Sequence, residues 1–179
     1  MNCYTPLFVD RIKKGSPEAI AWIRGNADHP ELNGIIRFFS VSIGGVLVNA
    51  EIFGLPDETE QEAENDSVVS QFYAMHIHEI GDCTGAFENT GMHYNPKGAA
   101  HPYHAGDMVP LLSNDGYAWL AFYDDRISIE EILGKSVIIH GNRDDFTTQP
   151  SGDAGTKIGC GVIEEGDRGF YNKLYQKVM

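Results

Sequence analysis

The stretch MHIHEIGDC, residues 75–83, sets two histidines two positions apart at the end of an apolar run and just before a glycine turn. The run from Val68 to His78 predicts a β-strand. Side chains two residues apart on a strand share a face, so His76 and His78 would present two imidazoles about 7 Å apart. A metal ion between them is one explanation. An isolated pair of this kind is more often two ordinary surface histidines, because single short motifs are weak evidence.

The long loop that follows the strand, Glu79 to Leu112, shifts the balance toward metal binding. Within fifteen residues it carries three more histidines and an aspartate: His93, His101, His104 and Asp107. Three imidazole nitrogens and one carboxylate oxygen are a typical ligand set of a closed, four-coordinate zinc site.

The remaining histidines of the pattern form a second candidate set. His140 ends another apolar run and joins His76 and His78, and His93 is near enough in sequence to be shared. An all-imidazole set without a thiolate suits copper or an open zinc site. Of the seven histidines, His29 alone stands apart from these segments.

Short apolar segments with glycine-marked turns cover most of the chain. Strands are predicted at 18–25, 34–41, 45–55, 68–78, 116–124, 136–140 and 158–163, with 34–55 as a hairpin, 127–133 as a strand or a turn of helix, and 1–17 as a short lead-in. This pattern predicts one all-β domain, an antiparallel sandwich or barrel. Its two long loops, 79–112 and 141–157, exceed the length of simple connectors and are expected to be functional.

Charge and composition exclude several kinds of partner. The net charge of −13 argues against nucleic acid and anionic membranes, which both require a positive face. No apolar run approaches the roughly 20 residues of a membrane span. The amino terminus lacks the pattern of a secretory signal, so we expect a cytoplasmic protein unless a leader has been removed.

The acidic segment 57–66 is interpreted as a solvated loop. Three cysteines allow one disulfide and one free thiol.

Four stretches carry a resemblance to a known family: HIHEIGDC (76–83), GMHYNPKGAAHPYHAGD (91–107), IIHGNRDD (138–145) and GDAGTKIGCGVI (152–163). In order and spacing, the chain resembles the Cu/Zn superoxide dismutase family over about residues 18–164. The resemblance implies a Greek-key antiparallel β-barrel or sandwich with two long functional loops in a single domain. It also implies copper and zinc as cofactors and the dismutation of superoxide to oxygen and hydrogen peroxide.

The resemblance assigns roles to individual residues. The implied copper ligands are His76, His78, His93 and His140. The implied zinc ligands are His93, which bridges the two metals, His101, His104 and Asp107. Asp144 matches an aspartate that links copper and zinc histidines through hydrogen bonds. Cys83 and Cys160 match the disulfide of the family, with Cys83 placed as in bacterial members.

Lys157 is the main departure from the family pattern, which has an arginine at this position. The resemblance gives Lys157 the role of guiding superoxide, with Arg143 as a second candidate, and gives His93 the role of taking up a proton. Lysine keeps the positive charge but lacks the fixed fork of donors of arginine. The acidic segment 57–66 and the extension 164–179 also depart from the family.

Two other functions remain open at the level of sequence. A non-catalytic copper- and zinc-binding protein of the same fold would keep the ligands without turnover. A hydrolytic zinc enzyme is disfavoured, because no H-E-x-x-H frame places a carboxylate as a base. A homodimer is possible, but the sequence does not indicate its interface.

Overall fold

The computed structural model describes residues 3–56 and 71–166, which form two short helices, one 3₁₀ turn and nine strands. The helices are α1 (Thr5–Lys14) and α2 (Ile129–Ile132), and the 3₁₀ turn is Glu88–Thr90. The strands are β1 (Ala19–Gly25), β2 (Asn33–Ser40), β3 (Val46–Phe53), β4 (Phe72–Tyr73), β5 (Met75–His78), β6 (Leu111–Leu112), β7 (Ala118–Asp124), β8 (Ser136–His140) and β9 (Lys157–Glu165). The acidic segment 57–66 and the extension beyond residue 166 lie outside the described residues.

Seven of the strands form one antiparallel sheet in the order β5-β8-β9-β1-β2-β3-β7, and β4 pairs with β6 separately. The last strand of the chain, β9, lies between β8 and β1. Long connections carry the chain from β3 to β5 at the opposite end of the sheet, as in Greek-key folds. The structure thus confirms the all-β, antiparallel fold expected from the sequence.

The sheet curls around its main apolar core. Buried side chains of the two end strands, Met75 and Ile77 from β5 and Ala118 from β7, belong to the same cluster as the middle strands. Strand β1 shows the alternation that produces this arrangement, with Ala21 and Ile23 buried and Trp22 exposed.

The predicted hairpin is confirmed, since β2 and β3 pair from Asn33–Phe53 to Ser40–Val46. The described part of the predicted strand 68–78 is divided into β4 and β5. Between them, the Ala74 amide donates to the Asn142 carbonyl (2.7 Å) and the Ala74 carbonyl accepts from the His140 amide (2.9 Å), which ties this point to the second long loop.

The segment 127–133, for which the sequence allows a strand or a helical turn, contains α2. Glu131 accepts hydrogen bonds from the backbone amide of Ser128 (3.1 Å) and from its hydroxyl (3.0 Å), which stabilises the start of this helix.

Helix α1 departs from the expectation of a short lead-in over residues 1–17. Phe8 and Ile12, four positions apart on one helix face, pack against Phe39, Val41 and Leu47 on the outside of the sheet. Neither helix of the described residues has the length and apolar character needed to cross a membrane.

Candidate metal centre

Strand β5 is buried on both faces, and this double burial sets the location of the site. Met75 and Ile77 point into the core, whereas His76 and His78 point to the other face and are equally buried. The loop that follows pairs with β5 through two isolated antiparallel bridges, His76 to Asp107 and His78 to His93. The loop therefore covers the two histidines and brings its own candidate ligands next to them.

A first group of buried imidazoles consists of His76, His78, His93 and His140, with one ring nitrogen from each lying within 4.8 Å of the others. The Nε2 atoms of His78 and His140 face each other at 3.4 Å. The ring centroids of His76 and His93 are 3.9 Å apart. The structure thus brings together all four residues that the sequence assigns to copper.

Hydrogen bonds orient three of these rings and leave one nitrogen of each for the centre of the group. His78 Nδ1 lies 2.9 Å from the Gly91 carbonyl oxygen, His140 Nδ1 lies 3.4 Å from that of Gly155, and His76 Nε2 lies 2.8 Å from the carboxylate of Asp144. His76 Nδ1 and His93 Nε2 are buried without a hydrogen-bond partner among the described residues. Such unpaired buried nitrogens are costly unless something binds them. Their convergence fits copper, for which imidazole is a preferred ligand.

A second group of buried side chains consists of His93, His101, His104 and Asp107, again with candidate ligand atoms within 4.8 Å of one another. The Nδ1 atoms of the three histidines lie 2.8, 3.1 and 3.3 Å from Asp107 carboxylate oxygens. Despite these distances, His101 Nδ1 and His104 Nδ1 make no hydrogen bond within the described chain. Of the three nitrogens, only His93 Nδ1 hydrogen-bonds to the carboxylate, at 2.8 Å. A buried carboxylate with three converging imidazole nitrogens, two of them unpaired, fits a zinc ion between them.

His93 belongs to both groups. Its Nδ1 lies against Asp107 in the second group, and its Nε2 is the unpaired buried nitrogen in the first. One imidazole therefore offers a ligand atom to each of two neighbouring sites.

Asp144 connects the two groups through hydrogen bonds to one histidine of each. Its Oδ2 accepts from His76 Nε2 at 2.8 Å and its Oδ1 lies 2.9 Å from His101 Nε2. The Phe146 amide donates to the same carboxylate at 2.7 Å. This contact pattern is the link between histidines that the sequence assigns to Asp144, and it fixes both rings with their Nδ1 atoms directed away from Asp144.

Gly152, which is not among the site residues predicted from the sequence, makes room for this carboxylate. A Cβ at this position would lie 2.0 Å from Asp144 Oδ1 and 2.7 Å from His101 Nε2, and the backbone has a φ of +68°. Both observations require glycine here.

Burial keeps His76, His78 and His140 neutral, whereas contacts with histidines keep Asp107 ionised. Desolvation lowers the pKa of His76 to about 4 and that of His78 to about 3, and it holds the pKa of His140 well below its usual value. Burial alone would raise the pKa of Asp107, but its contacts with His93, His101 and His104 lower that pKa to about 2. The lone pairs of these three imidazoles are thus available to a metal at neutral pH.

The disulfide implied by the family resemblance is present between Cys83 and Cys160. It joins the start of the first long loop to β9 and packs with Phe87 and Ile138. Cys3 is an exposed free thiol.

Lys157, the first residue of β9, is held close to the first group. Its Nζ donates to the hydroxyl of Thr90 at 2.8 Å and to the carbonyls of Phe87 (3.3 Å) and Gly91 (3.4 Å). The Gly91 carbonyl also accepts from His78, so a single oxygen separates the ammonium group from a histidine of the first group. Burial lowers the pKa of Lys157. Arg143, the second candidate cation, is exposed.

Two further residues support the second group but carry no sequence signal for that role. The amide side chain of Gln149 accepts from the His101 amide (3.1 Å) and donates to the His101 carbonyl (2.7 Å). The guanidinium of Arg126 donates to the His104 carbonyl (3.2 Å). Both act on backbone groups of distant residues, which a motif search of side chains does not detect.

Comparison with known proteins gives a consistent family match. The family model described as "Copper/zinc superoxide dismutase (SODC)" matches residues 32–163. The extracellular superoxide dismutase [Cu-Zn] of Rattus norvegicus is 30% identical over 146 residues, covering 76% of this chain and 56% of the rat protein. Superoxide dismutase [Cu-Zn] 2 of Mesembryanthemum crystallinum is 30% identical over 165 residues, covering 83% of this chain and 96% of the plant protein.

Superoxide dismutase [Cu-Zn] A of Xenopus laevis is 28% identical over 161 residues, covering 82% of this chain and 96% of the frog protein. The match thus covers nearly the full length of the plant and frog proteins. In contrast, it spans only a little over half the length of the extracellular mammalian relatives.

Proposed function

This chain belongs to the copper/zinc superoxide dismutase family, and we propose that it converts superoxide to oxygen and hydrogen peroxide at a copper ion held beside a zinc ion. The observation that carries this proposal is the position of His93. Its two ring nitrogens are directed into two buried groups, one with four imidazoles and one with three imidazoles and a carboxylate.

In this proposal the metal ligands are the members of the two groups. Copper is held by His76, His78, His93 and His140, and zinc is held by His93, His101, His104 and Asp107. Bound copper would supply the one-electron chemistry that the reaction needs. Asp144 holds one histidine of each set, so the two sites are oriented together.

The residues of the chain supply a positive charge and a site for proton transfer. Two superoxide anions and two protons give one oxygen and one hydrogen peroxide, so the site must attract an anion and deliver protons. Lys157 is the fixed positive charge beside His78, which matters in a protein with a net charge of −13. His93 Nε2 is the nitrogen at which we place proton transfer, because it is buried and free of any hydrogen bond in the described chain.

Metal analysis and a dismutation assay on the same sample test this function. We expect about one copper and one zinc per chain together with dismutation of superoxide. The variant Asp107→Ala should lose zinc and keep most of its copper, because Asp107 belongs to the second group alone.

A protein loaded with both metals that holds one ion per chain would contradict the paired site. Full loading without dismutation would instead support the alternative of a non-catalytic metal-binding protein. A homodimer and a cytoplasmic location stay predictions from the sequence.

A further inference from the structure

Arg126 lies just after β7 and is locked in place by a buried carboxylate. The side chain of Asp124 is 3% exposed. Its Oδ1 accepts from the Arg126 backbone amide (2.8 Å) and from Nε (3.1 Å), and its Oδ2 accepts from Nη2 (2.8 Å). A bidentate carboxylate pair of this kind fixes both the position and the plane of the guanidinium.

The other side of the same guanidinium contacts the zinc half of the proposed site. Nη1 donates to the carbonyl of His104 at 3.2 Å, and Nη2 donates to the carbonyl of Asp107. Both carbonyls belong to proposed zinc ligands. One rigid, planar group therefore holds the backbone of two ligands that lie three residues apart.

The turn from His104 to Asp107 is also held by strand β5. The carbonyl of Gly106 accepts from the Ile77 amide of β5 at 2.8 Å. A Cβ on Gly106 would lie 2.3 Å from the Ile77 carbonyl oxygen, so the turn packs tightly against the strand. Because both β5 and Arg126 hold the backbone of this turn, the two ligand side chains have little freedom to separate.

We propose that Arg126, oriented by Asp124, is a positioning residue that sets the zinc affinity of this protein without setting its copper affinity. The inference rests on the proposed function of the second group as the zinc site. This positioning role depends on the planar set of N–H donors in the guanidinium group. Lysine carries the same charge but cannot direct several donors in one plane.

The test compares Arg126→Lys with a matched control, Arg37→Lys. Arg37 also pairs with a carboxylate, Glu51 at 3.3 Å, and donates to Asn49 at 3.2 Å, but both partners lie on β3 outside the two metal groups. Each protein is loaded with copper and zinc. Zinc transfer to a chromogenic chelator, retained copper and thermal unfolding of the metal-free protein are then measured.

We expect Arg126→Lys to weaken zinc binding roughly 10- to 100-fold, the usual effect of losing a residue that orients a metal ligand. Its copper content should stay unchanged, and Arg37→Lys should bind both metals as the unmodified protein does. Should Arg126→Lys fail to fold, Asp124→Asn provides a milder version, since it removes the charge of the orienting carboxylate and keeps Arg126. This variant should lose zinc affinity in the same direction, again with copper retained.

Zinc transfer from Arg126→Lys that matches the unmodified protein would overturn the inference. Equal loss of copper and zinc would overturn it as well, because that result describes a general structural role. If the unmodified protein binds no zinc, the proposed function fails and this inference fails with it. If the unmodified protein binds zinc and the variants bind it equally well, the proposed function stands and this inference alone is wrong.

Discussion

At the scale of single residues, Lys157 is a charged side chain that the surrounding loop holds in one position. Its ammonium group contacts three acceptors, the hydroxyl of Thr90 and the carbonyls of Phe87 and Gly91. An ammonium group has three donors, so this set can restrain it fully. The structure thus gives the lysine a defined position that its flexible side chain alone would not provide.

Because superoxide is an anion and the protein repels anions overall, the rate should depend on this charge. We expect Lys157→Ala to lower the dismutation rate severalfold and to flatten its dependence on salt, since salt screens electrostatic steering. Lys157→Arg should keep or raise the rate. The measurement is the rate constant across a salt series, with copper content determined in parallel.

The matched control for this experiment is Lys14→Ala, which changes the net charge equally. Lys14 lies on α1 and pairs with Asp10 at 3.1 Å at the surface. If both alanine variants keep the full rate and the full salt dependence, Lys157 does not guide the substrate and Arg143 becomes the next candidate.

Residues that bind through their own side chains were predictable from the sequence, whereas those that act on backbone groups were not. Histidine and aspartate have few other reasons to cluster at the spacing of His93, His101 and Asp107, so their chemistry identifies them. Gln149 and Arg126 act on carbonyls and amides that the fold brings to them. Gly152 acts by the absence of a side chain.

At the scale of elements, the second long loop joins the two metal groups through Asp144 and Gly152. Gly152→Ala would place a methyl group against the carboxylate that orients His76 and His101. We expect this variant to lose zinc affinity roughly 10- to 100-fold, in line with the loss of a ligand-orienting contact. Metal content after dialysis, measured for both ions, tests the expectation.

Gly98→Ala is a close control for this variant. Gly98 also has a positive φ, +61° against +68° for Gly152, but beyond its chain neighbours a Cβ there would meet no atom within 4 Å. It should therefore show only the backbone cost of a left-handed alanine, about 1 kcal/mol of unfolding free energy. Equal metal content in the two variants would show that the clash at Asp144 has no effect on binding.

The strands were predictable because short apolar runs are separated by glycine-marked turns, as β2 and β3 on either side of Gly44 and Gly45 illustrate. Helix α1 was not, since ten residues with only Phe8 and Ile12 packed against the sheet give a weak periodic signal. The interruption between β4 and β5 depends on pairing of Ala74 with the second loop. That pairing is a tertiary contact, and no local pattern encodes it.

At the scale of the whole molecule, the buried histidines link stability to pH in the metal-free protein. Unfolded histidine titrates near pH 6.5, whereas burial lowers the folded pKa to about 4 for His76 and about 3 for His78. Between these values the unfolded chain binds protons that the folded chain does not. The contribution of these histidines to the unfolding free energy is therefore fully present above about pH 6.5, and it is lost as the pH decreases toward 4.

We expect the unfolding free energy of the metal-free protein to fall by about 1.4 kcal/mol per pH unit for each of these histidines across that window. Urea unfolding at pH 7.5, 6 and 5 measures the slope. Asp107 has a lowered pKa in the folded protein, so its protonation reduces the unfolding free energy only below about pH 3.9, the approximate pKa of an unfolded aspartate. That pH lies outside the range of these unfolding measurements. A stability that stays constant from pH 7.5 to 5 would contradict the buried, neutral state of His76 and His78.

The place of β1 in the sheet has a practical consequence for anyone who trims the gene. The family match begins at residue 32, after β1 has ended, yet β1 is the strand that joins β9 to β2. A fragment cut to the matched region would retain all the proposed metal ligands and lose a central strand. Two apolar strand edges would then be open to other chains, which is a recognised route to aggregation. We therefore expect the smallest stably expressed segment of this chain to extend beyond the region that carries the family motifs and to include β1.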